Sequence, residues 1–113
     1  IHTIIEEDLV DKEFIRQRVY GVEQLLKEIE KYPPDEVERI TGVPAEQMKR
    51  VAQKFATEKP ATLIWCMGQT QKTVGTANVR ASCIALLLTG NVGKPGTGAR
   101  RHEAGVHPAR RRV

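Results

Sequence analysis

The stretch ATLIWCMGQTQKTVG, Ala61 to Gly75, decides how the chain is read. Ala61 to Cys66 is an apolar run between Pro60 and Gly68. Six residues are strand-length, whereas a buried helix needs about ten or more. The sequence therefore predicts a buried strand. Gln69, Thr70 and Gln71 follow, and no charge appears until Lys72. A helix is predicted to begin after that polar segment. Strand, neutral loop and helix in succession is the local grammar of an α/β protein.

Downstream, Val74, Ala77, Asn78, Ala81, Ile84, Ala85 and Leu88 fall on one helical stripe. Arg80 is the only charge between Thr73 and Leu88. A helix this apolar all round is expected inside a larger protein. Gly90 suits a left-handed C-terminal cap, and residues 91–98 read as a glycine–proline turn segment. Upstream, Ile1 to Val19 is amphipathic in two pieces, with Asp11 the expected N-cap of the second. Val22, Leu25, Leu26 and Ile29 make a helix that Tyr32-Pro33-Pro34 ends. A short helix from Pro34 to Ile40 and a longer one opened by Pro44 complete the series.

One strand cannot make a sheet. The fold expected is thus mostly helical with one buried strand, a fragment of a larger α/β domain. The chain has 113 residues and opens on Ile1, so an upstream part is expected to be missing. Hydrophobic residues make up 40% and aromatics only 4%, so aliphatic side chains must build the core. No run of about 18 apolar residues occurs, hence no membrane-spanning helix is expected. The net charge of +4 resides in the last fourteen residues, because 13 basic and 13 acidic residues cancel over residues 1–99. A neutral body argues against a nucleic-acid face. Cys66 and Cys83 are too far apart for a CxxC pair and read as buried thiols. His2, His102 and His107 are not spaced as a ligand cluster, and no catalytic constellation emerges.

The candidate site is the polar loop. In α/β proteins, ligands lie at the carboxyl ends of strands, where loops lead into helices. Gly68 would let a ligand approach the backbone. Gln69 and Gln71 offer donors and acceptors without charge, which suits a heterocycle with a mixed edge. A solvated connector remains the alternative. Neither GxGxxG nor GxxxxGK[ST] is present, and the glycine-rich segment 90–98 is weak as a phosphate cradle.

Met67-Gly68-Gln69-Thr70-Gln71, Asn78-Val79-Arg80 and Thr89-Gly90-Asn91-Val92-Gly93-Lys94-Pro95-Gly96-Thr97-Gly98 together resemble the molybdopterin oxidoreductase family. They are most similar to the catalytic (alpha) subunits of molybdenum- or tungsten-dependent formate dehydrogenases. The resemblance covers about residues 1–99, as a fragment of the molybdopterin-binding α/β region. It implies a bis(molybdopterin guanine dinucleotide) cofactor carrying Mo or W. It also implies an iron–sulfur cluster outside this chain, and formate as substrate. The partners implied are the remainder of the catalytic subunit and electron-transfer subunits. Carried over by position, the cofactor-binding candidates are Met67, Gly68, Thr70 and Gln71, while Asn78 and Arg80 brace helix and loop.

The pattern then breaks. The family continues with an Asn and an Arg-Gly pair whose arginine helps to hold formate, but here Glu103 stands near that place. The family's metal-ligating cysteine or selenocysteine and its cluster cysteines are also absent. Residues 100–113 are expected to be a divergent, disordered Arg-rich tail, read as a frameshift or a truncated product. Recovery of the family pattern in another frame of the coding DNA tests that idea. The chain alone is expected to be inactive. Two rival readings stand beside this one. The first is a nitrate or oxide reductase of the same family. The second is a small helical binding protein whose basic tail grips nucleic acid or an acidic partner.

Overall fold

The computed structural model describes residues 1–102. Five helices come first: α1 (His2–Glu6), α2 (Lys12–Arg18), α3 (Val22–Ile29), α4 (Pro34–Thr41) and α5 (Ala45–Thr57). Strand β1 (Thr62–Trp65), the single turn α6 (Met67–Thr70), helix α7 (Gly75–Leu88) and strand β2 (Gly98–Arg101) follow. The mixed α/β class expected from the sequence holds.

Local chemistry sets the boundaries. The Asp11 carboxylate accepts from the Phe14 amide at 3.0 Å, which satisfies one of the free donors of α2. Pro34 sits in the first turn of α4, where its missing N–H costs nothing, and Gly42 closes the helix at φ 74°. Asp11 does more than cap. Its own N–H donates to Leu88 O at 2.7 Å, tying α2 to the end of α7. Asp11→Ala is therefore expected to lower stability by about 1 kcal/mol, read as an earlier urea midpoint followed by circular dichroism.

Ile4, Ala56 and Leu88 form the buried centre, with Ile5, Leu9, Ile15, Phe55 and Ile84 packed around it. Helix α1 lies against α5, and α2 lies against α7. The apolar character of α7 is spent unevenly. Leu86 and Leu88 are fully buried at its C-terminal end, whereas Val74 is 59% exposed just before its start.

The sheet differs from the expectation of a single strand. β1 finds its partner within the chain, as β2 pairs with it in parallel, in register from Thr62↔Gly98 to Trp65↔Arg101. The His102 amide extends the ladder by donating to Trp65 O at 2.7 Å. β1, α7 and β2 thus make a βαβ unit. The strand is not buried either. Its residues alternate between exposed and half-buried, and Ile64 is 66% exposed. Parallel sheets are normally covered on both faces, and here one face of a two-stranded sheet has no covering layer among the described residues. Regular structure runs across the composition break at Arg100, while Glu103 and the rest of the tail lie outside the described residues.

The Thr89-Gly90-Asn91 segment holds the unit together. Thr89 and Asn91 are fully buried polar residues. The Asn91 Oδ1 accepts from the Ala61 amide at 3.0 Å, and its Nδ2 donates to the Thr89 Oγ1 at 2.9 Å. Asn91, three residues past the end of α7, therefore fixes the point at which the chain enters β1. Gly90 turns in the left-handed region at φ 67°, and a Cβ there would meet the Asp11 carboxyl carbon at 2.9 Å. Further on, the Thr62 Oγ1 donates to Gly96 O at 2.8 Å. The Thr97 Oγ1 donates to Lys94 O at 2.7 Å and accepts from the Lys94 amide at 3.1 Å. The glycine-rich segment is a hydrogen-bonded turn that aligns β2.

Candidate functional site

The polar stretch is not a loose loop. Its first part coils into α6, directly after β1 and beside the end of β2, because Trp65 pairs with Arg101. It therefore sits at the carboxyl ends of both parallel strands, the position at which α/β sheets hold ligands. The Gln71 amide donates to Met67 O at 2.8 Å and the Gln69 amide to Cys66 O at 3.2 Å, which closes the turn.

The side chains divide into two sets. Gln69 faces the protein. Its Nε2 donates to Asn78 O at 3.0 Å and to the Ser82 Oγ at 2.5 Å, while its backbone oxygen accepts from the Asn78 Nδ2 at 3.1 Å. Gln69, Asn78 and Ser82 thus clamp α6 to the first turns of α7. The brace expected of Asn78 is present, and Gln69 belongs to it rather than to an open recognition edge. Thr70 is half-buried, and its hydroxyl donates to Cys66 O at 3.4 Å. A Cβ on Gly75 would stand 2.9 Å from the Thr70 carbonyl carbon and overlap its oxygen. Gly75 is therefore what lets α6 fold back against α7.

Met67, Gly68 and Gln71 form the other set, and all three are exposed. Met67 is 43% exposed, a soft and polarizable side chain that adapts to flat partners. Among the described residues, none places a heavy atom within 4 Å of the position a Cβ on Gly68 would occupy. Its backbone is in a helical turn and outside the positive-φ region. Neither packing against the described residues nor backbone conformation requires glycine at this position. Of the four candidates on this turn, Met67, Gly68 and Gln71 present an open, uncharged surface, and Thr70 is directed inward.

This surface can bind by amide hydrogen bonds, backbone approach and van der Waals contact. It offers no nucleophile paired with a base. Among the described residues, no three His, Cys, Asp or Glu side chains come together as a metal site. The charged groups with displaced titration lie elsewhere. Arg39 holds the Glu36 carboxyl below its ordinary value, and Glu28 raises Lys31, both in exposed pairs on or just beyond α3 and α4. No helix is long and apolar enough to cross a membrane among these residues.

Sequence reasoning missed Gly75 and the partnership of Gln69 with Ser82. A glycine placed where a buried helix begins was the available signal for the first. Nothing local signalled the second, because an amide serves a ligand and a neighbouring helix equally well.

Comparison with known proteins adds an independent line. No protein-family model matches the chain. Formate dehydrogenase H of Escherichia coli is 43% identical over 109 residues, which cover 96% of this chain and 14% of that protein. The F420-dependent formate dehydrogenase 1 subunit alpha of Methanococcus maripaludis is 40% identical over 98 residues, 87% of this chain and 14% of the relative. A nitrate reductase of Synechocystis is 37% identical over 91 residues, 80% of this chain and 13% of the relative. The chain thus spans about one seventh of the length of these relatives.

Proposed function

We propose, for a chain that belongs to the molybdopterin oxidoreductase family and matches its formate dehydrogenase alpha subunits, that it supplies one wall of the cofactor site in such a subunit. The observation that carries this reading is Gly68: an exposed glycine at the carboxyl end of a parallel strand, with open space at its missing side chain and no reason to be glycine among the described residues. A flat ring system laid against the turn accounts for it. The ligand is a bis(molybdopterin guanine dinucleotide) cofactor with molybdenum or tungsten, which would supply the two-electron chemistry of formate oxidation to carbon dioxide. In this chain, Gly68 lets that ring approach the backbone, Gln71 offers one donor and one acceptor to its edge, and Met67 covers it. Thr70 holds the turn through Cys66. The metal ligand and the iron–sulfur cluster belong to other parts of the subunit, and Glu103 stands near the family place of the formate-binding arginine, so the chain alone does not turn over formate. The remainder of the subunit and electron-transfer subunits are its partners, and residues 1–99 are its share of the cofactor-binding region. Similarity to a nitrate reductase favours a second reading, in which the same wall serves a reductase of the family.

The test places residues 1–99 of this chain in Escherichia coli formate dehydrogenase H in exchange for the matching positions, so that the chimaera keeps that enzyme's own sequence from the composition break onward. The chimaera is expected to hold molybdopterin and to oxidise formate. Gly68→Val or Gln71→Ala should each lower pterin content about tenfold, the effect of roughly 1.4 kcal/mol of lost binding. Unchanged pterin content in both variants would sink the proposal.

A further inference from the structure

A second surface is lined by none of residues 67–71. A groove of about 410 Å³ runs between α1, α5 and β1. Its walls include Ile4, Met48, Val51, Phe55 and Leu63, and of the ten described residues that line it only Gln47 is polar. Met48, Val51, Ala52 and Phe55 follow the i, i+3, i+4, i+7 spacing by which a helix presents an apolar stripe. That stripe is only partly used. Along α5, Ala45 and Ala56 alone are fully buried, Val51 is 64% exposed, and Val43 at the rim of the groove is 41% exposed.

The composition of the groove selects its occupant. A small polar ligand needs several convergent polar groups, and Gln47 is alone. A separate electron-transfer subunit that associates reversibly would meet a more mixed surface, since non-obligate interfaces are about as polar as the rest of the surface. A lining with nine apolar residues in ten resembles a domain core cut open. Leu63, half-buried on the face of β1 opposite the exposed Ile64, closes the groove at its sheet end. The related subunits are about seven times longer than this chain, so most of such a polypeptide lies outside it.

Resting on the subunit role proposed above, we infer that this groove is the seam that receives an apolar segment from the remainder of the same catalytic subunit. Val51 is its central contact. The residue is exposed in the chain alone and buried in the whole subunit.

That difference defines the experiment. In the isolated chain, Val51→Asp should leave the urea midpoint within about 0.2 M of the parent, because it touches no core packing. In the chimaera with Escherichia coli formate dehydrogenase H, the same change should lower the yield of folded enzyme about tenfold or more, as an unpaired carboxylate is buried. Val51→Ile should retain the parent yield. Glu23→Lys, on the exposed side of α3, should leave both samples unchanged. A Val51→Asp chimaera that accumulates at the parent level overturns the seam. So does an isolated chain that is a stable dimer and becomes monomeric with Val51→Asp, since a second copy would then be the occupant. The seam and the cofactor wall fail separately. Val51→Asp acts on assembly, whereas Gln71→Ala strips pterin from an assembled enzyme.

Discussion

Gly75→Ala is expected to be the most damaging single-methyl change in the chain. The added Cβ would overlap the Thr70 carbonyl oxygen and stand 2.9 Å from its carbon. Both are backbone atoms and cannot rotate away. The Thr70 segment is pinned by α6 on one side and by the Gln69–Asn78–Ser82 clamp on the other. Relief requires α6 to move away from α7, which breaks the clamp and tilts the turn out of line with β1. We expect a loss of about 3 kcal/mol, the upper part of the range for forced overpacking. A chain of this size has little margin beyond that. Gly68→Ala is the matched control. Its Cβ meets nothing within 4 Å and its turn is helical, so alanine should be neutral or stabilising by up to about 1 kcal/mol. Urea unfolding followed by far-ultraviolet circular dichroism distinguishes the two. Equal midpoints for Gly75→Ala and the parent would show that α6 is not packed on α7 as described. The pair also separates the two kinds of glycine in this turn, one demanded by the fold and one left open to a ligand.

Most helices were legible because each carries its own evidence. Val22, Leu25, Leu26 and Ile29 repeat at helical spacing, Asp11 stands at a cap, and Pro33-Pro34 and Gly42 punctuate the chain. These are local signals, and local chemistry decides them. β2 was illegible for the opposite reason. Gly98-Ala99-Arg100-Arg101 has no alternation and no β-branched residue, and it becomes a strand only because the 91–97 turn delivers it to the edge of β1. The burial of β1 was misjudged on the same ground. An apolar run shows that a segment can be covered, and the cover itself comes from elsewhere in the fold. At the candidate site, the neutrality of residues 67–71 could be read from the sequence, but the division of labour could not. Gln69 and Gln71 are chemically identical, and only the position of α7 commits the first to Asn78 and Ser82.

Asn91→Ala should come next in severity, and it probes the βαβ unit at its other end. Asn91 is 1% exposed, and each end of its amide is engaged. Truncation leaves the Ala61 amide without its acceptor, a cost of about 1–3 kcal/mol for a desolvated donor. It also opens a small void beside the buried Thr89. The Thr89 hydroxyl keeps its bonds to Ala85 O and Leu86 O, so the end of α7 should survive while the entry to β1 loosens. We therefore expect a total loss of about 3 kcal/mol. In hydrogen exchange, protection should fall at Ala61 and along β1 before it falls in α2 or α5. Asn91→Asp refines the test. It keeps the acceptor for Ala61 and replaces the donor by a carboxyl. Burial penalises the ionised form, so the folded-state pKa of this new group should lie above the unfolded value of about 4. A group raised in this way contributes its stability below the unfolded pKa and loses it as pH rises through the folded pKa. Asn91→Asp should thus outperform Asn91→Ala at acidic pH and lose that advantage towards neutrality. If the two variants differ by a constant amount across that range, the Asn91 amide is not buried against Ala61 and Thr89, and the register of β1 against β2 must be set by another contact.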